Sequence, residues 1–198
     1  IFENIKILKG VGKNTARYLR NKKIETIRDL LLDFPYGYTD RTNLITLDKL
    51  EAGKISTIKL KVIKYNFPRV RNLPNKVICE DEHSKIDIVF FNSREGYIRK
   101  VLPIQSNVVI SGKVQTYKGK FQINNPEYIS KLDELSKVNK MIPKYNLTDG
   151  ITEKIYNRII SQVLENIPNI EEWYDKKLIS NLNLIDWNTS IAKLHDPN

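Results

Sequence analysis

Two short stretches of this 198-residue sequence, 66–75 and 116–121, combine aromatic rings with basic side chains. An exposed ring can stack on an unpaired base, and nearby guanidinium or ammonium groups can bind the flanking phosphates. Two prolines stiffen the first stretch. We therefore predict nucleic-acid contacts from Phe67, Arg69 and Arg71 in the first stretch and from Tyr117, Lys118 and Lys120 in the second.

Each ring also has a purely structural interpretation. Phe67 could pack against the end of its own domain, and Tyr117 could be an ordinary residue at the end of a strand. Phe121 lies one residue beyond Lys120 and is predicted to belong to the core. The sequence leaves the first two alternatives open.

A glycine turn near the amino end is a further candidate for phosphate binding. Gly10 and Gly12 resemble the turn of a helix-hairpin-helix element, whose amides can hold a DNA phosphate, and Lys13 would add a charge. The alternative is a turn that only joins two packed helices. A nucleotide-binding P-loop is excluded because Ile7 stands where it needs glycine and Asn14 where it needs serine or threonine.

Catalytic and metal-binding patterns do not emerge from the remaining candidates. His83 follows three acidic residues, 80–82, which are typical of a solvated hairpin tip, and His195 has no cysteine or second histidine near it in sequence. Cys79 lies in an apolar run and is predicted to be a buried thiol. We expect any catalytic chemistry to lie outside these residues, with no cofactor and no metal bound by them.

The net charge of +10 favours a polyanionic partner. Residues 53–130 hold 14 Lys and Arg against 6 Asp and Glu, so this middle part contributes +8 of the +10. Apolar runs are too short for a membrane span, and the amino end does not resemble a signal segment. These features predict an intracellular protein without membrane contact.

Hydrophobic periodicity predicts an α+β fold. The middle part alternates apolar and polar residues over five strands, with a helix capped by Ser93 between the third and the fourth. That order is typical of an oligonucleotide-binding (OB) fold, a five-stranded β-barrel. The predicted strands are 55–65, 75–81, 85–92, 107–116 and a fifth that begins near Lys120 and runs toward Ile129.

Helical segments flank this barrel at both ends. Thr26 and Thr152 are predicted to cap helices, and 37–42 reads as a connector. The pattern from Glu171 to Trp187 predicts helices that pack back onto the barrel. The predicted segments are 1–52 with the glycine turn, 53–130 with the barrel, and a helical 131–198.

Several of these stretches together resemble the amino-terminal region of the RecG family of bacterial ATP-dependent DNA helicases. The likeness runs nearly end to end and in the right order. It departs at Tyr36-Gly37, where the family has two arginines, at Thr39, where it has an acidic residue, and at Asn125, where it has histidine. The similar stretches are 8–16, 26–31, 34–35, 38–42, 90–92, 111–114, 125–128, 145–150 and 194–197.

The resemblance implies a wedge domain that binds branched DNA, such as replication forks and Holliday junctions, in recombination and repair. In that family, aromatic side chains of the barrel stack on bases at the branch point, and Phe67 is the candidate for this role. ATP and Mg would be bound by a motor that follows the final Leu194-His195-Asp196-Pro197, so we expect the chain to be a non-catalytic piece of a longer enzyme. The resemblance further implies a monomeric, cytoplasmic, nucleoid-associated bacterial protein.

Two other functions stay open at this point. A free-standing single-strand-binding OB-fold protein would prefer long single strands to junctions. A scaffold or protein-interaction module would bind any nucleic acid only at the nonspecific level, with a Kd of roughly 10⁻⁴ to 10⁻⁶ M at physiological salt.

Overall fold

The computed structural model of the chain describes residues 1–70, 73–172 and 174–197. Within them, the strands are β1 Gly37–Asp40, β2 Leu44–Ile45, β3 Ile55–Asn66, β4 Asn75–Glu80, β5 Lys85–Phe90, β6 Asn107–Tyr117, β7 Lys120–Asn124, β8 Tyr128–Lys131 and β9 Met141–Lys144. The α-helices are α1 Lys13–Asn21, α2 Ile27–Leu31, α3 Glu95–Val101, α4 Glu153–Leu164, α5 Lys176–Asn181 and α6 Trp187–His195.

The chain divides into two compact units, which regroup the three segments expected from the sequence. The barrel unit is Asp40–Lys140. The helical unit combines both ends of the chain, Ile1–Thr39 and Met141–Asn198, because the apolar faces of the end helices bury one another in a single core.

The barrel unit is a closed five-stranded OB-fold barrel, as predicted. The strand order is β3–β4–β5–β7–β6, and β6 pairs again with β3 to close the sheet; β5 and β7 are parallel. Along β3, Ile58, Leu60 and Val62 are buried while Lys59 and Lys61 are exposed. This alternation with a period of two places one row of side chains inside the barrel and lysines outside it.

Helix α3 covers the barrel core between β5 and β6, where a helix was predicted. Ile98 and the following Leu102 are fully buried in the core cluster. The predicted cap was wrong: the helix begins after Arg94, whose side chain makes no cap hydrogen bond, and not after Ser93.

The fifth barrel strand ends earlier than predicted. β7 stops at Asn124, Asn125 adopts a positive φ of 41°, and Pro126 cannot donate to a sheet ladder. A Cβ on Gly112 would lie 3.3 Å from the Pro126 Cα, so glycine allows this loop to cross β6 closely. The chain then forms β8, a separate strand antiparallel to the first half of β6.

In the helical unit both predicted threonine caps are confirmed. Thr26 accepts a hydrogen bond from the Asp29 N–H, and the Asp29 carboxylate accepts one from the Thr26 N–H, which forms a capping box. The Thr26 hydrogen bond is the main cause that lowers the pKa of Asp29 to about 2. Thr152 caps α4 by accepting from the Ile155 N–H.

One expectation about the amino-terminal segment was wrong. The stretch read as a connector contains β1, which pairs with β9 in a two-stranded sheet about a hundred residues away along the chain. At the end of the carboxy-terminal pattern, Trp187 packs against the core of the helical unit, in which Ile191 of α6 is buried. Among the described residues, no helix has the length and apolarity that crossing a bilayer requires.

Candidate nucleic-acid interface

The loop between β3 and β4 begins with an aromatic stack. The Phe67 ring lies 4.9 Å from the Tyr65 ring with 14° between the planes, and the Arg99 guanidinium carbon lies 5.0 Å and 4.8 Å from the two ring centroids. The Tyr65 hydroxyl donates to the Leu102 carbonyl at 2.7 Å. Phe67 is half-buried against the barrel core. The ring that was predicted to stack on a base is therefore partly covered by its own neighbours.

The same loop carries two basic residues in the sequence, of which the structure describes Arg69. Arg69 is exposed, as a phosphate contact requires. Arg71 was predicted to be a second contact and lies outside the described residues. Val70 and Leu73 are also exposed, so the loop presents apolar as well as charged side chains.

The β6–β7 connection is a two-residue turn. Lys118 and Gly119 both adopt positive φ, of 48° and 74°, as a type I′ hairpin turn requires, and Tyr117 pairs with Lys120 across it. The Tyr117 ring is 54% exposed. The Nζ atoms of Lys118 and Lys76 lie 5.6 Å and 6.0 Å from its centroid. The structure thus places an accessible aromatic ring beside two lysine ammonium groups at this turn.

The sequence-based prediction did not include Lys76 and wrongly assigned Phe121 to the core. Lys76 faces outward on β4, and its position immediately after the basic loop could have indicated it as a site residue. Phe121 was predicted to be core, but it is 39% exposed. It has the same strand parity as the buried Ile123, yet it lies at the start of β7, where the barrel wall no longer covers the ring.

Two further exposed aromatic residues, absent from the predicted site, lie where β5 leads into α3 and within α3. Phe91 is 45% exposed and Tyr97 is exposed. The Phe91 N–H donates to the Asn125 side chain at 2.9 Å, and the Asn75 side chain donates to the Ser93 carbonyl at 2.9 Å, which ties this connection to the start of β4. Because Phe90 is buried, strand alternation could have identified Phe91 as outward-facing.

The glycine turn of the helical unit is held by α4. Gly10 has φ +85°, and a Cβ there would lie 2.6 Å from Nη2 of Arg158. The Gln162 side chain accepts from the Lys9 N–H at 2.9 Å and donates to the Lys9 carbonyl at 3.0 Å. Lys13 is exposed at the first position of α1. These contacts favour the joining role of the turn, while a phosphate contact by Lys13 stays a prediction.

The titratable residues that could suggest catalysis lie in three different settings. His83 is exposed on the β4–β5 hairpin, where the Asp81 carboxylate accepts from the His83 N–H. Cys79 is buried, and burial raises the pKa of its thiol to about 12. His195 is buried between Tyr145 and the Leu31 carbonyl. Within the described ranges, no three histidine, cysteine or acidic side chains are arranged to hold a metal ion.

A closed barrel with this strand order defines the OB-fold class, whose members bind oligonucleotides on the second and third strands and on two adjoining loops. The sequence matches the RecG wedge domain family over residues 4–170. The chain therefore belongs to that family.

Relatives and a solved structure extend this match over nearly the whole chain. The chain is 28% identical over 204 residues to the ATP-dependent DNA helicase RecG of Synechocystis sp., covering 94% of this chain and 24% of the relative. For the protein of the same name from Thermotoga maritima, identity is 27% over 201 residues, with 98% and 25% covered. RecG bound to a three-way DNA junction superposes with a TM-score of 0.87 at 24% identity, over 99% of this chain and 27% of that one. This chain thus spans about a quarter of the length of these proteins, and the superposition shows a shared fold.

Proposed function

We propose that this chain is the branched-DNA-binding wedge of an ATP-dependent DNA helicase that acts on replication forks and Holliday junctions in recombination and repair. The observation that carries the proposal is the family match over residues 4–170, which includes parts of both units. A free-standing single-strand-binding protein would need only the barrel. The helical unit is therefore the part that favours a wedge over the single-strand-binding alternative.

In this proposal the barrel separates the strands because its aromatic rings stack on the base pair that is exposed at the branch. Phe91 is the more accessible ring, and Phe67 is the one fixed by Tyr65 and Arg99. Base stacking on an aromatic side chain contributes about 1–3 kcal/mol and tolerates any sequence. Arg69, Arg71, Lys118 and Lys120 would bind phosphates, with Lys13 as a further contact from the helical unit.

We assign ATP hydrolysis and translocation to a motor in another part of the parent enzyme. ATP and Mg would bind in that motor, so the purified chain is expected to show no ATP turnover, and a coupled ATPase assay with and without DNA would test this. We further propose that the chain is a monomer, which light scattering would check, and that the parent acts in the bacterial cytoplasm at the nucleoid.

Fluorescence anisotropy of the chain with a labelled synthetic fork, a linear duplex and a single strand tests the wedge directly. We expect the fork to bind most tightly and the affinity to fall steeply with salt, because phosphate contacts release counterions. Phe91→Ala and Phe67→Ala should each weaken fork binding, by about 1–3 kcal/mol for a ring that stacks on a base.

Phe2→Ala is the matched control, since Phe2 is an exposed phenylalanine of the helical unit. It should leave fork binding unchanged. Tightest binding to the long single strand would support the free-standing single-strand-binding function. Equal, weak binding to all three DNAs would contradict the wedge and would favour a scaffold.

A further inference from the structure

The first helix of the helical unit carries a stripe of basic side chains on its exposed face. Residues 4–24, which contain α1, hold seven Lys and Arg and no Asp or Glu. At 3.6 residues per turn, the exposed Lys13, Arg17 and Arg20 fall within about 60° of one another around α1 and extend over about 10 Å of its length. These three residues form one surface, which we call the α1 stripe.

Arg17, at the centre of the stripe, is held over a ring that is itself packed in place. Its guanidinium carbon lies 5.2 Å from the centroid of the Tyr18 ring. Gly150 has φ +94°, and a Cβ there would lie 2.5 Å from Cζ of Tyr18, so only glycine allows the backbone to approach the ring this closely. The Thr148 hydroxyl on the same loop donates to the Tyr18 carbonyl at 3.2 Å. A guanidinium stacked in this way presents a planar fork of N–H donors, which matches the oxygens of a phosphate.

The charges of the stripe are largely left for an external anion. Among the residues that the structure describes, no carboxylate lies within 4.0 Å of the charged groups of Lys13 and Arg17. Arg20 pairs with Glu25 at 3.4 Å through Nε, but both side chains are exposed, and such a pair contributes little. Arg158 of α4, whose guanidinium lies against the glycine turn before α1, adds a further exposed cation.

The stripe offers donors for phosphates but no accessible ring for a base. Tyr18 is half-buried, whereas the Tyr117 ring of the barrel is 54% exposed. Asn14 and Asn21 are exposed beside the stripe, and asparagine amides, like lysine and arginine, donate to phosphate oxygens. A duplex hides its base faces and presents a phosphate about every 3.4 Å along each strand, so the stripe can face about three phosphates. These properties fit the backbone of a duplex better than a single strand.

We propose that the α1 stripe binds the phosphate backbone of a duplex arm of the branched DNA, without reading its sequence. The site lies wholly within the helical unit and is distinct from the barrel residues that are proposed to act at the branch point. It rests on the proposed wedge function and deepens it, because it assigns a DNA contact to the helical unit. Two contacts on one DNA molecule reinforce each other, so the arm contact raises the affinity for the fork.

Anisotropy titrations at several salt concentrations test the stripe, with a labelled fork whose arms are all duplex. The slope of log K against log salt counts phosphate contacts, at about 0.9 per contact on duplex DNA. A chain that carries both Lys13→Gln and Arg17→Gln should therefore bind this fork with a slope that is smaller by about 1.8. When the duplex arms are trimmed to a few base pairs, the unmutated chain and this double variant should bind alike, because no arm is left to hold.

Two control variants separate the stripe from the overall charge of the chain. A chain with Lys13→Arg and Arg17→Lys keeps both charges and should retain the slope of the unmutated chain. Lys193→Gln removes an exposed cation of α6 in the same unit and should also leave the slope unchanged. Unfolding in urea, followed by tryptophan fluorescence, should give the same midpoint for all four chains if the substitutions leave the fold intact.

The outcomes distinguish the stripe from the wedge. An unchanged slope in the double glutamine variant, with the fork still preferred to a linear duplex, would overturn the stripe and leave the wedge standing. An equal loss in Lys193→Gln, or a loss that persists on the fork with trimmed arms or on one with single-stranded arms, would also overturn the duplex-arm assignment. If the unmutated chain does not prefer the fork to a linear duplex, both proposals are wrong.

Discussion

Each unit of the chain buries a polar cluster, which is centred on an arginine in one unit and on a histidine in the other. In the barrel unit the Arg41 side chain is almost fully buried; it donates to the Ser111 hydroxyl at 2.7 Å and to the Glu127 carboxylate, and its guanidinium lies 4.9 Å from the Tyr128 ring centroid. Thr57 extends the cluster through a 2.9 Å bond to Ser111.

The helical unit buries a histidine instead. His195 Nε2 donates to the Leu31 carbonyl at 2.8 Å, so Nδ1 is left to accept from the Tyr145 hydroxyl at 2.7 Å. This arrangement requires a neutral ring. Burial lowers the pKa of His195, against the opposing effects of the Leu31 hydrogen bond and of the Asp33 carboxylate.

The arginine and the histidine predict different responses of the two units to pH. Arginine stays charged throughout the pH range in which proteins are folded, so the barrel cluster keeps its bonds at pH 5 and at pH 7. The histidine cluster is lost once the ring is protonated. The units can be followed separately, because Cys79 is buried in the barrel, Trp187 packs against the core of the helical unit, and both tryptophans of the sequence come after residue 140.

The largest effect on stability is expected from a substitution that disrupts the barrel cluster. Arg41→Ala should lower the free energy of unfolding of the barrel by about 3 kcal/mol, because it leaves a cavity and removes the partner of Ser111 and Glu127. Urea unfolding followed by labelling of Cys79 measures this change. Arg69→Ala, at an exposed arginine, is the control and should have little effect. A loss as small as that of the control would mean that the Arg41 cluster contributes nothing to the barrel.

A smaller effect on stability is expected in the helical unit when the pH is lowered. The unfolded chain binds a proton at His195 near the ordinary pKa of about 6.5, before the folded chain does, so stability should fall as the pH drops below that value. The slope should approach about 1.4 kcal/mol per pH unit in urea titrations followed by tryptophan fluorescence.

His195→Gln should remove this slope. His83→Gln should retain it, because His83 is exposed on the barrel hairpin. If the Cys79 and tryptophan reporters show the same pH dependence of stability between pH 5 and 7, the proposed difference between the two units is wrong.

The smallest effect concerns the edge of the barrel cluster. Thr57→Val keeps the shape of a fully buried side chain and removes one bond to Ser111, which retains its bond from Arg41. We expect a loss of about 1 kcal/mol in the Cys79 experiment. A loss as large as that of Arg41→Ala would show that the hydroxyl pair, and not the arginine, holds the cluster together.

Much of the barrel could be predicted because its signals are local. Strand alternation identified β3 to β6 within a few residues, and the threonine caps of α2 and α4 follow from bonds between residues three apart. The end of β7 was missed because it depends on the crossing of Pro126 over Gly112, which are 14 residues apart in sequence.

The candidate site was predicted only in part, because exposure depends on neighbours that are distant in the chain. Composition identified the two loops, and in the second the Lys118 Nζ lies 5.6 Å from the Tyr117 ring centroid. It could not show that Arg99, more than thirty residues away, covers Phe67, or that Lys76 reaches the Tyr117 ring. It also overlooked Phe91, whose neighbour Phe90 takes the inward position.

Local patterns of residue type encode the OB-fold order of strands, the basic middle of the chain and the family resemblance, so these features could be predicted without the structure. Tertiary structure alone decided that the two ends form one unit, that β1 pairs with β9, and that Arg41 and His195 are buried. Burial and pairing between distant segments depend on contacts that form only when the chain folds, and neither residue carries a local signal of its partners.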